Sequence, residues 1–201
     1  MTNTGGTSSR INLNRATCLV IDDNPMALKI LIQILHGFGV GNIVKSDSAK
    51  EAQKNVVRVA IDFIIADGHM PDMDGYEFVH WLRRESNCEN RFVPVLMISS
   101  ETQRSHVFRS RDVGANFVIA KPISPKVLLD RLFWLARDKR DFIEADTYVG
   151  PDRRFRHLGP PPGDAERRYN EQHKTAGDAG DRGPAEAKSA LRPQADQIIA
   201  D

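Results

Sequence analysis

The sequence predicts an α/β fold built on a five-stranded, parallel, doubly wound sheet. Short apolar stretches typical of buried strands alternate five times with longer stretches typical of amphipathic helices, and this alternation favours parallel strands joined by helical crossovers. The stretch from Phe63 to Ala66 is apolar at every position, as expected for a central strand covered on both faces. The 201 residues suffice for one ordinary domain with further residues to spare.

Composition restricts the class of protein. A net charge of +1 gives no global field that would attract nucleic acid or an anionic membrane. Cys18 and Cys88 lie in unlike stretches, which argues against a disulfide framework or a zinc site and favours reduced thiols. No apolar run reaches the roughly 18 residues of a membrane span, and the N-terminus lacks an apolar signal core. We therefore expect a cytoplasmic protein with no membrane span.

The elements follow from apolar spacing and from start and stop signals. Strands are predicted at 17–21, 42–46, 62–66, 93–99 and 116–119. Helices are predicted at 25–36, 48–57, 75–85, 104–113 and from about Ser124 onwards. Asn24 and Pro25 provide a cap and a first-turn proline for the first helix, and Gly37 and Gly39 end it.

The last helix has more apolar residues than one buried stripe requires. Four of them lie on one side at about 100° per residue and would pack on the sheet. They are Leu128, Leu132, Leu135 and Phe142. Three others, Leu129, Phe133 and Trp134, fall outside this stripe. They indicate either partial burial against neighbouring helices or a surface for a homodimer or another partner.

The two ends of the chain differ in composition from its centre. Residues 1–14 lack periodicity and predict a flexible arm, so that the domain itself spans 15–146. Residues 147–201 are rich in glycine and proline and poor in large apolar residues, which predicts a disordered tail. Basic and aromatic residues meet at 153–156, where solvated charge is favoured over nucleic-acid contact.

Polar side chains stand where four of the predicted strands end. Asp67 follows the central strand, and Asp22 with Asp23 follows the first. Ser99 ends the fourth strand, and Lys121 follows the fifth. The carboxyl ends of parallel strands form the edge of an open sheet at which ligands bind. We therefore expect acids, a hydroxyl and an ammonium group to meet there.

Turn residues hold the central acid at this edge. Met70-Pro71 and Asp74-Gly75 reverse the chain after Asp67, because proline fixes φ and glycine tolerates left-handed conformations. Carboxylates that converge here repel each other, by about 4 kcal/mol for two charges about 4 Å apart at an effective dielectric near 20. A divalent cation relieves this repulsion, and oxygen ligands with open water positions suit Mg²⁺.

With these four motifs in this order, residues from about 15 to 141 resemble the receiver (phospho-acceptor) domain of bacterial two-component response regulators. The resemblance implies a flavodoxin-like receiver fold. It implies a stand-alone regulator that accepts a phosphoryl group on Asp67 from a sensor histidine kinase or a histidine phosphotransfer protein. Such a protein is a signalling switch rather than an enzyme. Nothing after Glu144 has the periodicity of a helix-turn-helix or of a second core, so we expect no DNA-binding domain and an output through a downstream protein target.

The resemblance also assigns roles within the site. The residues implied for Mg²⁺ are Asp22, Asp23, Asp67 and the backbone carbonyl of His69. Ser99 and Lys121 are implied as the groups that contact the oxygens of the transferred phosphoryl group, because phosphoryl transfer depends on positioning and charge neutralisation. Spontaneous hydrolysis would later reset the switch.

One position departs from the family pattern. The family usually has an aromatic residue four positions after the glycine of its Gly-Ala pair, and this residue swings inward when the hydroxyl moves toward the phosphoryl group. Here Gly114-Ala115 is followed by Val118 at that position, and Phe117 falls on the opposite strand face. A β-branched valine cannot swing in this way. Val118 therefore cannot provide the usual coupling from Ser99 to the surface formed by residues 104–141. A helix shift could replace it.

Two further features have open interpretations. His69, two residues after Asp67, stands at the position whose side chain overlooks the path of an attacking water in the family that this sequence resembles. It either alters the lifetime of the phosphoryl group or is simply exposed. The segment 148–154, Tyr-Val-Gly-Pro-Asp-Arg-Arg, resembles a short segment of some bacterial signalling proteins. The sequence assigns it no role.

Two other functions compete with phosphoryl acceptance. The first is a constitutive scaffold with a receiver fold, which Val118 favours. The second is a metal-dependent phosphatase with an aspartyl nucleophile, which would need a second acid such as Asp72 or Asp74 and a lid over the substrate. Each site residue alone also has an ordinary structural interpretation, such as a helix cap or a solvated base. Their joint occurrence at strand ends favours the phospho-acceptor.

Overall fold

The computed structural model describes residues 11–100 and 104–154. Its main sheet has five parallel strands: β1 Thr17–Ile21, β2 Asn42–Ser46, β3 Phe63–Asp67, β4 Val95–Ser99 and β5 Phe117–Ala120. Their order across the sheet is β2-β1-β3-β4-β5. The predicted five-stranded, doubly wound, flavodoxin-like sheet is therefore confirmed.

Helices follow the strands in the predicted alternation. They are α1 Pro25–Gly37, α2 Ala49–Arg58, α3 Gly75–Arg84, α4 Arg104–Asp112 and α5 Pro125–Ala136, with a 3₁₀ turn at Glu89–Phe92. Asn24 caps α1 by accepting from two backbone N–H groups of its first turn, and Asp74 forms a capping box with Glu77 at the start of α3. None of the helices within the described ranges combines the length and the apolar character needed to cross a membrane.

The helices cover both faces of the sheet and form two hydrophobic clusters. The α1/α5 cluster packs Leu31 and Leu132 against one face, and the α2/α3 cluster packs Val56 and Phe78 against the other. Every residue of β3 and β4 is buried. The central strands therefore have the two covered faces that their apolar sequence predicts.

Part of the predicted N-terminal arm belongs to the folded domain. Leu13 is buried in the α1/α5 cluster, and Ile11 packs against it. The Leu13 carbonyl accepts a hydrogen bond from the Gly41 N–H at 2.9 Å. The predicted arm is therefore wrong for residues 11–14, because two apolar side chains are too few to give a periodic signal. Residues 1–10 lie outside the described residues.

The last helix is shorter than predicted. Its buried residues are Leu128, Leu132, Leu135 and Ala136. Phe142, which was predicted to continue this stripe, lies instead in a second, antiparallel sheet formed by β6 Phe142–Ala145 and β7 Tyr148–Pro151. The chain turns away because the Asp138 carboxylate accepts the backbone N–H and the guanidinium of Arg140, which stabilises a turn after the helix.

The three apolar residues outside the stripe of α5 are half-buried. The ring of Trp134 packs edge-on against Phe117 of β5 at 6.3 Å between centroids. The guanidinium of Arg137 lies 6.0 Å from the ring centre of Phe133. These contacts within the chain favour partial burial, and a homodimer through this helix stays a prediction.

The β6–β7 hairpin covers the amino-terminal end of the sheet. A Cβ on Gly114, just before β5, would lie 2.3 Å from the carbonyl oxygen of Val149, and Gly114 has a φ of +93°, so the close approach requires glycine. The disorder predicted from residue 147 is therefore wrong for residues 148–154, where Gly150 and Pro151 are buried against the domain. The rest of the predicted tail lies outside the described residues.

The segment 148–154 fastens this hairpin to α4. The guanidinium of Arg153 lies 3.6 Å above the ring centre of Tyr148 and forms a 2.8 Å ion pair with Asp112, the last residue of α4. The Tyr148 hydroxyl donates to the Pro151 carbonyl at 2.7 Å. The segment to which the sequence assigned no role is therefore a structural clamp.

A fully buried arginine joins the elements at this end of the sheet. The guanidinium of Arg83 donates to the carbonyl oxygens of Gly114 at 3.1 Å and Arg91 at 2.5 Å, and to Oδ1 of Asn116 at 3.5 Å. It also lies 4.9 Å from the ring centre of Phe142. Burial lowers the pKa of Arg83 to about 9, so the group is still charged at neutral pH.

Asn116 extends this polar network to the turn that follows α5. Its side chain accepts the Val95 N–H at 3.0 Å and donates to Asp138 at 3.0 Å. Asp138 also forms a 2.6 Å ion pair with Arg140. Burial opposes the charged form of Asp138, but the hydrogen bonds from Arg140 and Asn116 outweigh it and lower the pKa of this carboxyl.

Candidate functional site

The predicted site residues meet at the carboxyl edge of the main sheet. Asp67 is the last residue of β3, and Ser99 is the last residue of β4. Asp22 and Asp23 follow β1, and Lys121 follows β5. Carboxylate oxygens of the three aspartates lie within 4.8 Å of one another. The parallel strands thus bring together acids that are far apart in the chain.

The loop after Asp67 packs tightly against the start of α3. The Gly68 N–H donates to the Ile98 carbonyl at 2.7 Å, and the Gly75 N–H donates to the Gly68 carbonyl at 3.3 Å. A Cβ on Gly75 would lie 2.0 Å from the carbonyl oxygen of Asp67, so α3 can begin this close only with glycine. The backbone of Asp67 is therefore held on both sides, which keeps its carboxylate at the edge.

Two of the three acids are almost inaccessible to solvent. Asp22 is 1% exposed and Asp67 is 5% exposed, whereas Asp23 is exposed. Burial raises the pKa of Asp22, and the charges of Asp67 and Asp23 add to the shift. The Asn24 N–H, which donates to Asp22 Oδ1 at 2.9 Å, and the charge of Lys121 oppose it. Keeping the carboxylates of this cluster ionised therefore costs free energy, and a bound cation would reduce that cost.

Lys121 supplies positive charge to this cluster. Its ammonium donates to Asp67 Oδ2 at 2.9 Å and lies 3.6 Å from Asp22 Oδ2. Burial disfavours the ammonium, but the hydrogen bond and charge of Asp67, with the charge of Asp22, raise the pKa of Lys121. The Lys121 N–H also donates to the Ser99 carbonyl at 2.8 Å. The ammonium is thus placed beside Asp67 by the end of β5.

The acid cluster fits a hard divalent cation. Among the described residues, Asp22 Oδ2 and Asp67 Oδ1 are buried without a hydrogen-bond partner, and such oxygens are costly unless they are partnered. With Asp23 they form a set of carboxylate oxygens at metal-ligand spacing, and oxygen ligands suit Mg²⁺. His69, whose carbonyl was the fourth predicted ligand, lies exposed in the loop after β3.

Tyr76, which sequence reasoning missed, contacts Ser99. It is the second residue of α3 and is fully buried, and its hydroxyl lies 3.4 Å from Ser99 Oγ, a long hydrogen bond. A Cβ on Gly68 would lie 3.3 Å from the same hydroxyl. Tyr76 therefore touches the chain beside Asp67 as well as Ser99. Its position directly after Gly75 was the available signal, because the tight start of α3 carries it into the site.

Arg109 of α4 contacts the outer side of Tyr76. Its guanidinium carbon lies 4.3 Å from the centre of the tyrosine ring, within the range of a cation–π interaction. The same guanidinium donates to Asp74 at 2.8 Å. One side chain of α4 thus holds both the cap and the first turn of α3.

The two faces of β5 are occupied as predicted. Phe117 packs with the α1/α5 cluster, and Val118 packs with the α2/α3 cluster that contains Tyr76. The ring of His69 is exposed and lies edge-on to the ring of Tyr76, with 6.5 Å between centroids.

Comparisons with known proteins match the same part of the chain. The family model of the response regulator receiver domain matches residues 18–133. Chemotaxis protein CheY-3 of Vibrio cholerae is 28% identical over 114 residues, which cover 57% of this chain and 86% of that protein. Chemotaxis protein CheY of Pseudomonas aeruginosa is 25% identical over 114 residues, which cover 57% of this chain and 90% of that protein.

Solved structures give the same result. Chemotaxis protein CheY4 of Vibrio cholerae has a TM-score of 0.56 and 30% identity, covering 60% of this chain and 98% of that chain. The signal receiver domain of a signal transduction histidine kinase from Syntrophus aciditrophicus has a TM-score of 0.55 and 29% identity, covering 62% and 93%. With more than half of its residues matched by the family model, this chain belongs to the response regulator receiver domain family.

Proposed function

We propose that this protein is a stand-alone response regulator. Asp67 accepts a phosphoryl group, in a Mg²⁺-dependent reaction, from the phosphohistidine of a sensor histidine kinase or of a histidine phosphotransfer protein. Receiver domains are phospho-acceptor signalling modules, and the chain belongs to that family. The observation that carries the proposal is the contact of Lys121 with Asp67, 2.9 Å, inside a cluster of three aspartates.

The transfer step needs a nucleophile and cations that meet the phosphoryl oxygens. A carboxylate oxygen of Asp67 attacks phosphorus, and the P–N bond to the donor imidazole breaks with its electron pair returning to nitrogen. The products are an acyl phosphate at Asp67 and a free histidine. The ammonium of Lys121 already donates to this carboxylate. During the transfer it would donate to one phosphoryl oxygen, and the Ser99 hydroxyl would donate to another.

Asp22, Asp23 and Asp67 would hold Mg²⁺, with the backbone carbonyl of His69 as a further ligand. When bound, the ion neutralises charge on the acids and on the phosphoryl oxygens. The two buried aspartate oxygens without a hydrogen-bond partner among the described residues support this assignment. Asp23 is exposed, so its carboxylate is accessible to a hydrated ion arriving from solvent.

Hydrolysis returns the protein to its resting state. A water oxygen attacks phosphorus, the bond between phosphorus and the Asp67 oxygen breaks, and the products are inorganic phosphate and the free carboxylate. The exposed ring of His69 lies in the loop just after Asp67. We propose that it borders the path of this water and sets the lifetime of the phosphoryl group.

The phosphorylated domain would act in the cytoplasm through contacts with a downstream protein. The folded domain within the described ranges ends with the hairpin clamp, and its own helices carry the exposed surface on which a partner would bind. Chemotaxis proteins are among the relatives, and a receiver within a histidine kinase is among the similar structures.

Intact mass spectrometry tests the proposal. The protein is incubated with acetyl phosphate and Mg²⁺, with EDTA in a parallel sample, and compared with Asp67→Asn and Asp23→Asn. Asp130→Asn, an exposed acid on α5, is the matched control for loss of one carboxylate. We expect one added phosphoryl group in the wild type and in Asp130→Asn, none in EDTA or Asp67→Asn, and a need for at least about tenfold more Mg²⁺ in Asp23→Asn, which loses a charged ligand.

The outcomes also separate the two alternatives. Folded protein that gains no phosphoryl group under any condition would support a constitutive scaffold. Continuous release of phosphate from simple esters with Mg²⁺ would support a phosphatase. Labelling that persists in Asp67→Asn would contradict the assignment of Asp67.

A further inference from the structure

The aromatic side chain that contacts Ser99 comes from α3 and not from β5. β5 contributes Val118 to the α2/α3 cluster, and Tyr76 of α3 lies in the same cluster. Tyr76 is fully buried, so any displacement of its ring must be accommodated by the residues packed on it. Its place in the cluster makes it a candidate for the coupling that Val118 cannot provide.

Three contacts place Tyr76 between the site and α4. Its hydroxyl lies 3.4 Å from Ser99 Oγ. Its ring edge borders the backbone of Gly68, because a Cβ there would lie 3.2 Å from Cε2. Its face carries the guanidinium of Arg109 at 4.3 Å. One residue thus contacts the neighbour of the phospho-acceptor, the site hydroxyl and a side chain of α4.

Arg109 contacts two groups of α3 at once. It is held at once by the ring of Tyr76 and by a 2.8 Å ion pair with Asp74. Asp74 is itself fixed as the cap of α3. A shift of the Tyr76 ring would therefore change the contact that α4 makes with α3.

We propose that Tyr76 is a positioning residue that holds Ser99 in the unphosphorylated site and transmits its movement to α4 through Arg109. The inference rests on the proposed function. When Ser99 moves to donate to a phosphoryl oxygen on Asp67, its 3.4 Å contact with Tyr76 breaks, because that contact is already at the limit of a hydrogen bond. The tyrosine then takes a new position, and Arg109 with α4 follows.

The chain contains a matched control for both side chains. Arg153 stacks on Tyr148 and pairs with Asp112, in the same arrangement as Arg109 with Tyr76 and Asp74. The second arrangement lies at the hairpin, away from Ser99. Tyr148→Phe and Arg153→Gln therefore remove the same chemical groups as Tyr76→Phe and Arg109→Gln without touching Ser99. Because Arg153 also pairs with Asp112 of α4, the response of each variant is measured against the same variant without beryllofluoride.

Hydrogen exchange with and without beryllofluoride and Mg²⁺ tests the inference. Beryllofluoride mimics a phosphoryl group on an aspartate, and peptides that cover β3 and its loop report occupancy in each variant. For wild type, Tyr148→Phe and Arg153→Gln, we expect the exchange of α4 amides to change about threefold to tenfold on binding, as for one hydrogen bond made or lost. For Tyr76→Phe and Arg109→Gln, we expect less than about a third of that change.

Each outcome decides between the inference and the proposed function. An undiminished α4 response in Tyr76→Phe would overturn the inference, as would a wild type whose site peptides respond while α4 does not. In both cases phosphorylation by acetyl phosphate, measured by mass, would leave the proposed function standing. A wild type that neither gains a phosphoryl group nor responds at the site peptides would overturn the proposed function, and the inference with it.

Discussion

The charged side chains at the two ends of the sheet differ in their hydrogen-bond partners. At the amino end, Arg83 is fully buried and Asp138 is half-buried, and each is hydrogen-bonded to groups from other elements. At the carboxyl end, Asp22 and Asp67 are buried, yet each keeps an oxygen without a hydrogen-bond partner among the described residues. A charged side chain whose polar atoms are hydrogen-bonded within the protein contributes to the fold. A charged side chain with an oxygen that lacks such a partner can bind a ligand. The amino end is therefore built for stability and the carboxyl end for chemistry.

The largest effect is expected from Arg83→Met at the amino end. The substitution keeps most of the side-chain volume but removes three hydrogen bonds to buried or partly buried acceptors. We expect the free energy of unfolding, measured by urea denaturation, to fall by about 3 kcal/mol or more. The neighbouring Arg84 is exposed, so Arg84→Met should change it by less than about 0.5 kcal/mol. Similar losses in both variants would contradict the contrast between the ends.

Gly114→Ala tests the close packing of the hairpin on the same end. Its φ of +93° and the nearby Val149 carbonyl both disfavour a Cβ. We expect a loss of about 2 kcal/mol in the free energy of unfolding. Gly37, which has open space around a Cβ, is the control, and Gly37→Ala should cause no comparable loss. A stable Gly114→Ala protein would show that the hairpin is loosely attached.

Asp138→Asn sharpens the comparison through pH. Because the folded state lowers the pKa of Asp138, its ionisation contributes stability that is present above the ordinary carboxyl pKa near 4 and is lost as pH falls through the folded value. We expect the variant to be about 1 to 2 kcal/mol less stable than wild type at pH 7, with the difference shrinking as the pH is lowered below about 4. A difference that stays constant with pH would contradict the role of the charge.

Asp67→Asn gives the smallest expected change in stability. It removes one charge from the three-acid cluster but also weakens the contact with Lys121. Without metal, we expect the free energy of unfolding to differ from wild type by less than about 1 kcal/mol. We expect it to be slightly higher in the variant, because one repelling charge is removed. Added Mg²⁺ should stabilise wild type more than this variant. A large loss of stability would show that Asp67 stabilises the fold, as Arg83 does, and would contradict the contrast between the two ends.

The sequence predicts the sheet and the site for the same reason. Five apolar stretches end abruptly in polar residues, and parallel strands bring those ends to one edge. Asp67, Ser99 and Lys121 therefore meet as their positions at strand ends require. The alternation alone does not fix the strand order β2-β1-β3-β4-β5, because doubly wound sheets of other orders alternate in the same way. The flavodoxin-like order follows from the resemblance to the receiver family.

The missed features depend on contacts between distant residues. Phe142 fits a helical stripe as well as a strand, and its pairing with Pro151 and its packing on Arg83 distinguish the two. Gly150 and Pro151 resemble disorder signals by composition, although here they allow close packing of a hairpin. Tyr76 looks like an ordinary core residue of α3 until Ser99 is placed beside it.

Asp67, at the carboxyl edge of the main sheet, is the proposed phospho-acceptor. The most direct measurement is borohydride trapping after treatment with acetyl phosphate and Mg²⁺, because borohydride reduces an acyl phosphate on aspartate to homoserine, and peptide mass spectrometry then locates it. Phosphorylation of Asp67 predicts homoserine at position 67, in a sample with Mg²⁺ and not with EDTA. Homoserine at another aspartate of the site, or none in protein that remains folded, would contradict it.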